Sequence, residues 1–238
     1  MIQSKLPDVG TTIFTTMSKL SSDHKAINLG QGFPEFDPDD KLIELVHQAM
    51  KQGHNQYPYM PGIDILRQQI AVKMNRLYFA EYDPETEITV TNGATEALMS
   101  AILAVVNTGD EVIVIEPCYD SYAPSIRLAG GTPIYVPLEA PNSEHISFRI
   151  DWNRVEQSIT AKTTLMILNF PHNPTGITLN QSDLDAIEAI ISRHNILLIS
   201  DEVYEHIVFD EKPFLSLSTR PSIASRTFVI SSFGKTFH

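Results

Sequence analysis

Lys235 lies in SSFGKTFH (231–238), just beyond an apolar run and one residue after a glycine. An amine drawn out of water among other groups is a nucleophile toward carbonyls and forms Schiff bases. A lysine at a strand end is also, more plainly, a surface group whose stem covers apolar area. Asp201 directly follows the apolar run ILLIS, and Tyr204 comes three residues later in DEVYEH. A carboxylate at that depth is costly unless something cationic meets it, so its position asks for a positive partner. Asn173, in NPTG after TLMIL, brings a donor and an acceptor, more than a turn needs. Tyr119 and Tyr122 follow VIVI in EPCYDSYAP, where a ring can cover a flat ligand. Gly93, Ala94 and Thr95 turn out of ITVT into a long apolar helix. Free N–H groups, the helix dipole and a hydroxyl make an anion site at such a start. Singly, each feature has an ordinary alternative: a tight turn, a cap, a packed tyrosine. The Gly93 turn is neither a Walker loop nor a GxGxxG fingerprint.

Five apolar runs precede these residues and must position them: ITVT (88–91), VIVI (112–115), TLMIL (164–168), ILLIS (196–200) and FVIS (228–231). Most are apolar throughout, as strands of a parallel sheet covered on both faces are. Helical patterns alternate with them. SDLDAIEAIISRH has Ser182 and Asp185 at capping-box spacing, and Arg193 and His194 at the end that favours cations. DDKLIELVHQAMKQ (39–52) places Leu42, Val46 and Met50 on one face, and Gly53 follows as a stop. The β–α–β order predicts an α/β fold with right-handed crossovers and a mostly parallel sheet, whose ligands bind at the carboxyl ends of the strands.

The totals narrow the function classes. Seventeen basic against twenty-nine acidic residues give a net charge of −12, which disfavours nucleic acid and anionic membranes as partners. No stretch approaches the length of a membrane span. One cysteine, Cys118, forms no internal disulfide, which suits a reducing cytoplasm; with no basic neighbour in sequence it reads as packed beside Tyr119. The eight histidines show no metal-binding spacing, and no role is assigned to His172, His206 or His238.

Together the five loops offer an anion cradle, an aromatic cover, an amide, a buried carboxylate with a phenol, and a lysine. That inventory would hold a phosphorylated pyridine aldehyde, pyridoxal 5'-phosphate (PLP), whose ring nitrogen an aspartate keeps protonated. The chain resembles the class I/II aminotransferases of PLP fold type I, most closely the methionine and kynurenine/aromatic branch. LGQGFPEFDP (29–38), NQYPYMPG (55–62), TNGATEA (91–97), EPCYDSY (116–122), PHNPTG (171–176), SDEVYEH (200–206) and SSFGKTFH (231–238) carry the resemblance, in the family's order and over nearly the whole chain.

The resemblance implies that Lys235 forms the Schiff base with the cofactor and then shuttles the proton. It implies that Asp201 pairs with the ring nitrogen, that Tyr204 and Asn173 bind the phenolic oxygen, and that Tyr119 stacks on the ring. Ala94, Thr95 and Ser232 would bind the phosphate, with Gly93 allowing the turn. Gly32 would lie against the substrate carboxylate, and Tyr57 would reach the phosphate of a neighbouring subunit in a homodimer. The reaction implied is transamination of an amino acid (methionine, aromatic or kynurenine-like) to its 2-oxo acid. A PLP-dependent carbon–sulfur β-lyase and an inactive truncated remnant are the alternatives.

By the same resemblance, residues 1–45 form an N-terminal arm with part of a small domain, and 46–238 a PLP-binding large domain. Relatives continue for about another domain's worth of chain, so the large domain reads as incomplete at its C-terminus. The absent part would hold the arginine for the substrate carboxylate, a further basic phosphate ligand and a strand lying between ITVT and FVIS. Those two strands would then flank an open gap.

Overall fold

The computed structural model describes residues 3–30, 36–143 and 145–237. Along the chain these form α1 (Ile13–His24), α2 (Asp40–Lys51), α3 (Asp64–Tyr78), α4 (Ala94–Val105), β1 (Glu111–Glu116), α5 (Tyr122–Leu128) and β2 (Thr132–Pro137). Then follow α6 (Trp152–Gln157), β3 (Thr163–Asn169), α7 (Gln181–Arg193), β4 (Leu197–Asp201), α8 (Pro221–Ala224), β5 (Thr227–Ile230) and α9 (Gly234–Phe237).

Among the described residues the strands form one parallel sheet in the order β2-β1-β3-β4-β5. Successive strand residues feed two cores. Ile113, Met166, Leu168 and Leu198 pack with Leu184, Ile187 and Ile191 of α7. Val112, Val114, Leu165 and Ile167 pack with Leu98 and Ile102 of α4 and Ile126 of α5. Burying one such side chain is worth about 1.5–3 kcal/mol, against a strand propensity scale spanning about 1 kcal/mol. Two-sided burial therefore decides that these runs are strands. The chain winds one way from β1 to β2 and the other way through β3, β4 and β5. The loops leaving β1 and β3 diverge, and a crevice opens at their carboxyl ends.

Four of the five expected strands are present. ITVT is not one of them: residues 88–91 join no ladder, and the Val90 N–H donates to the Pro61 carbonyl at 2.8 Å. β5 pairs with β4 alone, so among the described residues nothing lies where a strand would bridge ITVT to β5. β2, unforeseen, contains Pro133 and Pro137 and lies at the opposite edge, where a missing N–H is tolerated.

The cap of α7 sits two residues earlier than expected. Asn180, not Ser182, accepts from the Asp183 N–H, and the Asp183 side chain accepts from the Asn180 N–H. Arg193 and His194 both pair with Glu156 of α6, so their sites bind two helices together as well as facing a helix end. α2 begins at the Asp39 cap and is followed by Gly53 at φ 89°. It runs unbroken through residue 45. No residue of α1 or α2 is buried; Leu42, Val46 and Met50 are 40, 54 and 61 % exposed. Among the described residues no helix is long and apolar enough to cross a membrane.

Candidate active site

The carboxyl ends of β3, β4 and β5, the start of α4 and the loop after β1 enclose a cavity of about 230 Å³. Ala94, Thr95, Tyr119, Asn173, Asp201, Tyr204, Ser232 and Lys235 line it, with Leu98, Asn169 and Val203. Register explains the convergence. Asn169 pairs with Asp201 and Asp201 with Ile230, so three adjacent strands end level and their next residues enter the same space.

Asp201 is 3 % exposed. The Tyr122 hydroxyl donates to its Oδ2 at 2.5 Å, and the Val203 N–H approaches Oδ1 at 3.4 Å. Burial pushes this carboxyl above its ordinary value, while Tyr122, the Val203 N–H and the Lys235 ammonium pull the other way. Burial, with the carboxylate beside it, holds the Tyr122 phenol well above the usual range. The Asn169 amide fixes the backbone here, donating to the Asp201 carbonyl at 2.8 Å and accepting from the Asn173 N–H at 2.9 Å.

At the start of α4, Gly93 adopts φ 82°, a conformation a side chain would strain, and it supplies no side-chain cap. The Glu96 carboxylate reaches back to the Asn92 N–H. The first-turn N–H groups of the helix face the cavity end, where an anion is favoured. The Thr95 hydroxyl lies 3.5 Å from the Tyr119 hydroxyl.

Across the cavity the Asn173 amide lies 3.4 Å from the Tyr204 hydroxyl. Burial raises the Tyr204 phenol above its ordinary value. Lys235 Nζ stands 5.5 Å from the centre of the Tyr204 ring. Tyr119 meets Tyr122 edge-on, ring centres 5.7 Å apart, and Phe14 of α1 lies 6.4 Å away on the outer side. The segment before α1 is tied to α5 by Asp8, whose two carboxylate oxygens accept from Arg127 at 2.6 and 2.9 Å. Beyond Tyr119 the cavity meets an open groove of about 1710 Å³ that runs along α1, past Phe148 and Trp152.

Eight of the expected site residues thus share one cavity, and Gly93 makes the turn directly before Ala94. Tyr57 does not join them: it is 99 % exposed, in the loop before α3. Gly32 lies outside the described residues. Burial pushes the Cys118 thiol up to about 11, so it packs as an inert neighbour of Tyr119.

Three participants escaped the sequence reading. Asn169 carried the same signal as Asp201, a polar residue closing an apolar run. Tyr122, read as a ring cover, is the Asp201 partner, and its place three residues after Tyr119 puts both on one turn. His172 is buried and held near 4, mainly by burial, while a bond to the Pro117 backbone works the other way. With Thr175 on its Nδ1 at 2.9 Å, it joins the loop after β3 to the loop after β1.

Residues 24–238 match the family model for aminotransferase class I and II. The chain is 48 % identical to methionine aminotransferase of Escherichia coli (strain K12), over 99 % of this chain and 60 % of that protein. It is 34 % identical to kynurenine–oxoglutarate transaminase 1 of Mus musculus, over 98 % and 57 %. The solved N-succinyldiaminopimelate aminotransferase of Mycobacterium tuberculosis superposes with a TM-score of 0.93 at 43 % identity, covering all of this chain and 61 % of that one. The chain therefore spans about three-fifths of the length of the relatives it matches. Sheet order, the cavity at its carboxyl ends and these likenesses agree: the chain belongs to the class I and II aminotransferases.

Proposed function

We propose that this chain carries the cofactor half of a PLP-dependent aminotransferase. The observation that supports it is the meeting of a lysine, a buried carboxylate, an amide–phenol pair and an uncapped helix start around one cavity. The donor set fits PLP group by group. The start of α4, Thr95 and Ser232 suit the phosphate, and Tyr119 suits the ring face. Asn173 and Tyr204 suit the phenolic oxygen, and Asp201 the ring nitrogen. Tyr57 and Gly32 are assigned, in the same reading, to a neighbouring subunit's phosphate and to the substrate carboxylate. Residues 1–45 and 46–238 are likewise assigned to an arm with part of a small domain and to the large domain of a homodimer.

When bound, PLP supplies an electron-withdrawing ring that takes up charge from the substrate's α-carbon. The protein's part is to place and protonate. Asp201, whose carboxylate accepts from the Tyr122 hydroxyl, would hold a proton on the ring nitrogen. Lys235 would hold the cofactor through its side-chain amine and, once substrate is bound, would take up and return the proton at the substrate's α-carbon. Tyr119 and the arm residue Phe14 cover the outer face and limit water. The aromatic and apolar groups at the groove mouth favour donors with apolar, sulfur-containing or aromatic side chains, in keeping with methionine, aromatic or kynurenine-like amino acids.

The test is borohydride reduction of the protein with PLP, followed by peptide mapping. The expected result is one phosphopyridoxyl group on the Lys235 peptide, lost in Lys235→Ala. No adduct, or adducts scattered over surface lysines, overturns the reading. Amino transfer from methionine or an aromatic amino acid to a 2-oxo acid then defines the activity. Pyruvate and ammonia released from a cysteine conjugate would mark a lyase instead.

A further inference from the structure

Glu205 lies outside the cavity, yet it is 4 % exposed and binds three side chains on two separate segments. Its Oε1 accepts from Lys73 Nζ at 2.5 Å and from the Ser231 hydroxyl, and its Oε2 from the Tyr78 hydroxyl. The His206 ring lies 3.8 Å from Oε2. Lys73 and Tyr78 belong to α3, Glu205 follows Tyr204 in the turn after β4, and Ser231 sits between the end of β5 and Ser232. Burial acts to raise this carboxyl, but Lys73, Ser231 and Tyr78 outweigh it and leave the group below the usual range. It is a buried anion with its charge and lone pairs met, the condition under which such a group adds geometric definition rather than cost.

Among the described residues β5 pairs with β4, Ile230 packs on Leu98 and Ile102 of α4, and the Glu202 N–H donates to the Ile230 carbonyl at 2.7 Å. Past Ile230 the hydrogen bonds of Gly234, Thr236 and Phe237 stay within the segment. Among the described residues, Ser231 to Glu205 is the side-chain hydrogen bond that ties this segment to the rest of the chain. We propose that Glu205 is a positioning residue: by holding Ser231 it fixes the direction in which the chain leaves β5, and so where Ser232 and Lys235 stand against Asp201 and Tyr204. What those positioned groups do rests on the function proposed above; the tie itself does not.

Ser231 is exposed, so Ser231→Ala removes the tie with little effect on packing, and Ser231→Thr keeps the hydroxyl. Two readouts on the purified protein separate the possibilities. Without PLP, amides 231–237 in Ser231→Ala are expected to exchange hydrogen several-fold faster than in the parent, with α3 and β4 unchanged. With PLP, the dissociation constant is expected to rise about tenfold, the scale of a lost hydrogen bond to a charged group. The absorption band of the lysine–cofactor adduct is expected to titrate at a different pH. Ser231→Thr should restore all three. Unchanged exchange or unchanged PLP affinity in Ser231→Ala overturns the proposal, as does failure of Ser231→Thr to rescue. A parent that forms no adduct on Lys235 overturns the proposed function instead, and the exchange comparison still decides the tie.

Discussion

Tyr122 shows how much one hydroxyl does in this cavity. It is the strongest donor to a carboxylate that is 3 % exposed, and the remaining Val203 N–H is long at 3.4 Å. Tyr122→Phe keeps the ring in its core and leaves the carboxylate short of a partner, so a loss of about 2 kcal/mol of stability is expected while that carboxyl is ionised. The Asp201 carboxyl is already raised in the folded chain, and losing its donor raises it further. The deficit belongs to the ionised carboxylate, so it is complete above the raised folded-state value and shrinks as pH falls through it. Urea titrations of parent and variant at pH 7 and pH 4 measure it. The role of Asp201 was legible because charge at the end of an apolar run needs an explanation. The role of Tyr122 was not, because the same ring satisfies core packing and a hydrogen bond, and sequence cannot show which way its hydroxyl points.

At the scale of elements, burial on both faces made β1, β3, β4 and β5 readable, since apolar residues without alternation have few other homes. β2 is the converse: two prolines and a half-exposed pattern disguise an edge strand, and only its ladder with β1 reveals it. ITVT misled because β-branched residues fit a strand but do not make one without a neighbour to pair with. The α7 cap moved because Asn180 and Ser182 are both good capping residues, and the backbone geometry at Asn180 decides between them. Asn180→Ala is expected to destabilise the fold by about 1 kcal/mol. Ser182→Ala, which removes a hydroxyl that only donates to Asn180, is expected to cost a fraction of that. Thermal or urea midpoints of the two variants, measured side by side, distinguish the caps.

For the molecule as a whole, stability should depend on pH through Glu202. This carboxyl is 2 % exposed, and burial raises it to about 7 although Ser200, Ser216 and the Leu217 N–H hydrogen-bond it; the neighbouring Glu205 charge pushes the same way as burial. The folded chain therefore keeps a proton that the unfolded chain releases near its ordinary 4.5. The contribution is complete below that value and is lost as pH rises to about 7, on the order of 3 kcal/mol. Glu202→Gln is expected to flatten this fall, so that unfolding free energies at pH 5 and pH 7.5 differ less in the variant than in the parent.

The parallel ladder also sets an order in time. A chain made from its amino end at roughly 5–20 residues per second completes α4, β1, β3 and β4, with Thr95, Tyr119, Asn173 and Asp201, a few seconds before Lys235 emerges. Among the described residues β5 pairs with β4, so it docks on a strand already made. The pocket walls thus precede the amine during synthesis.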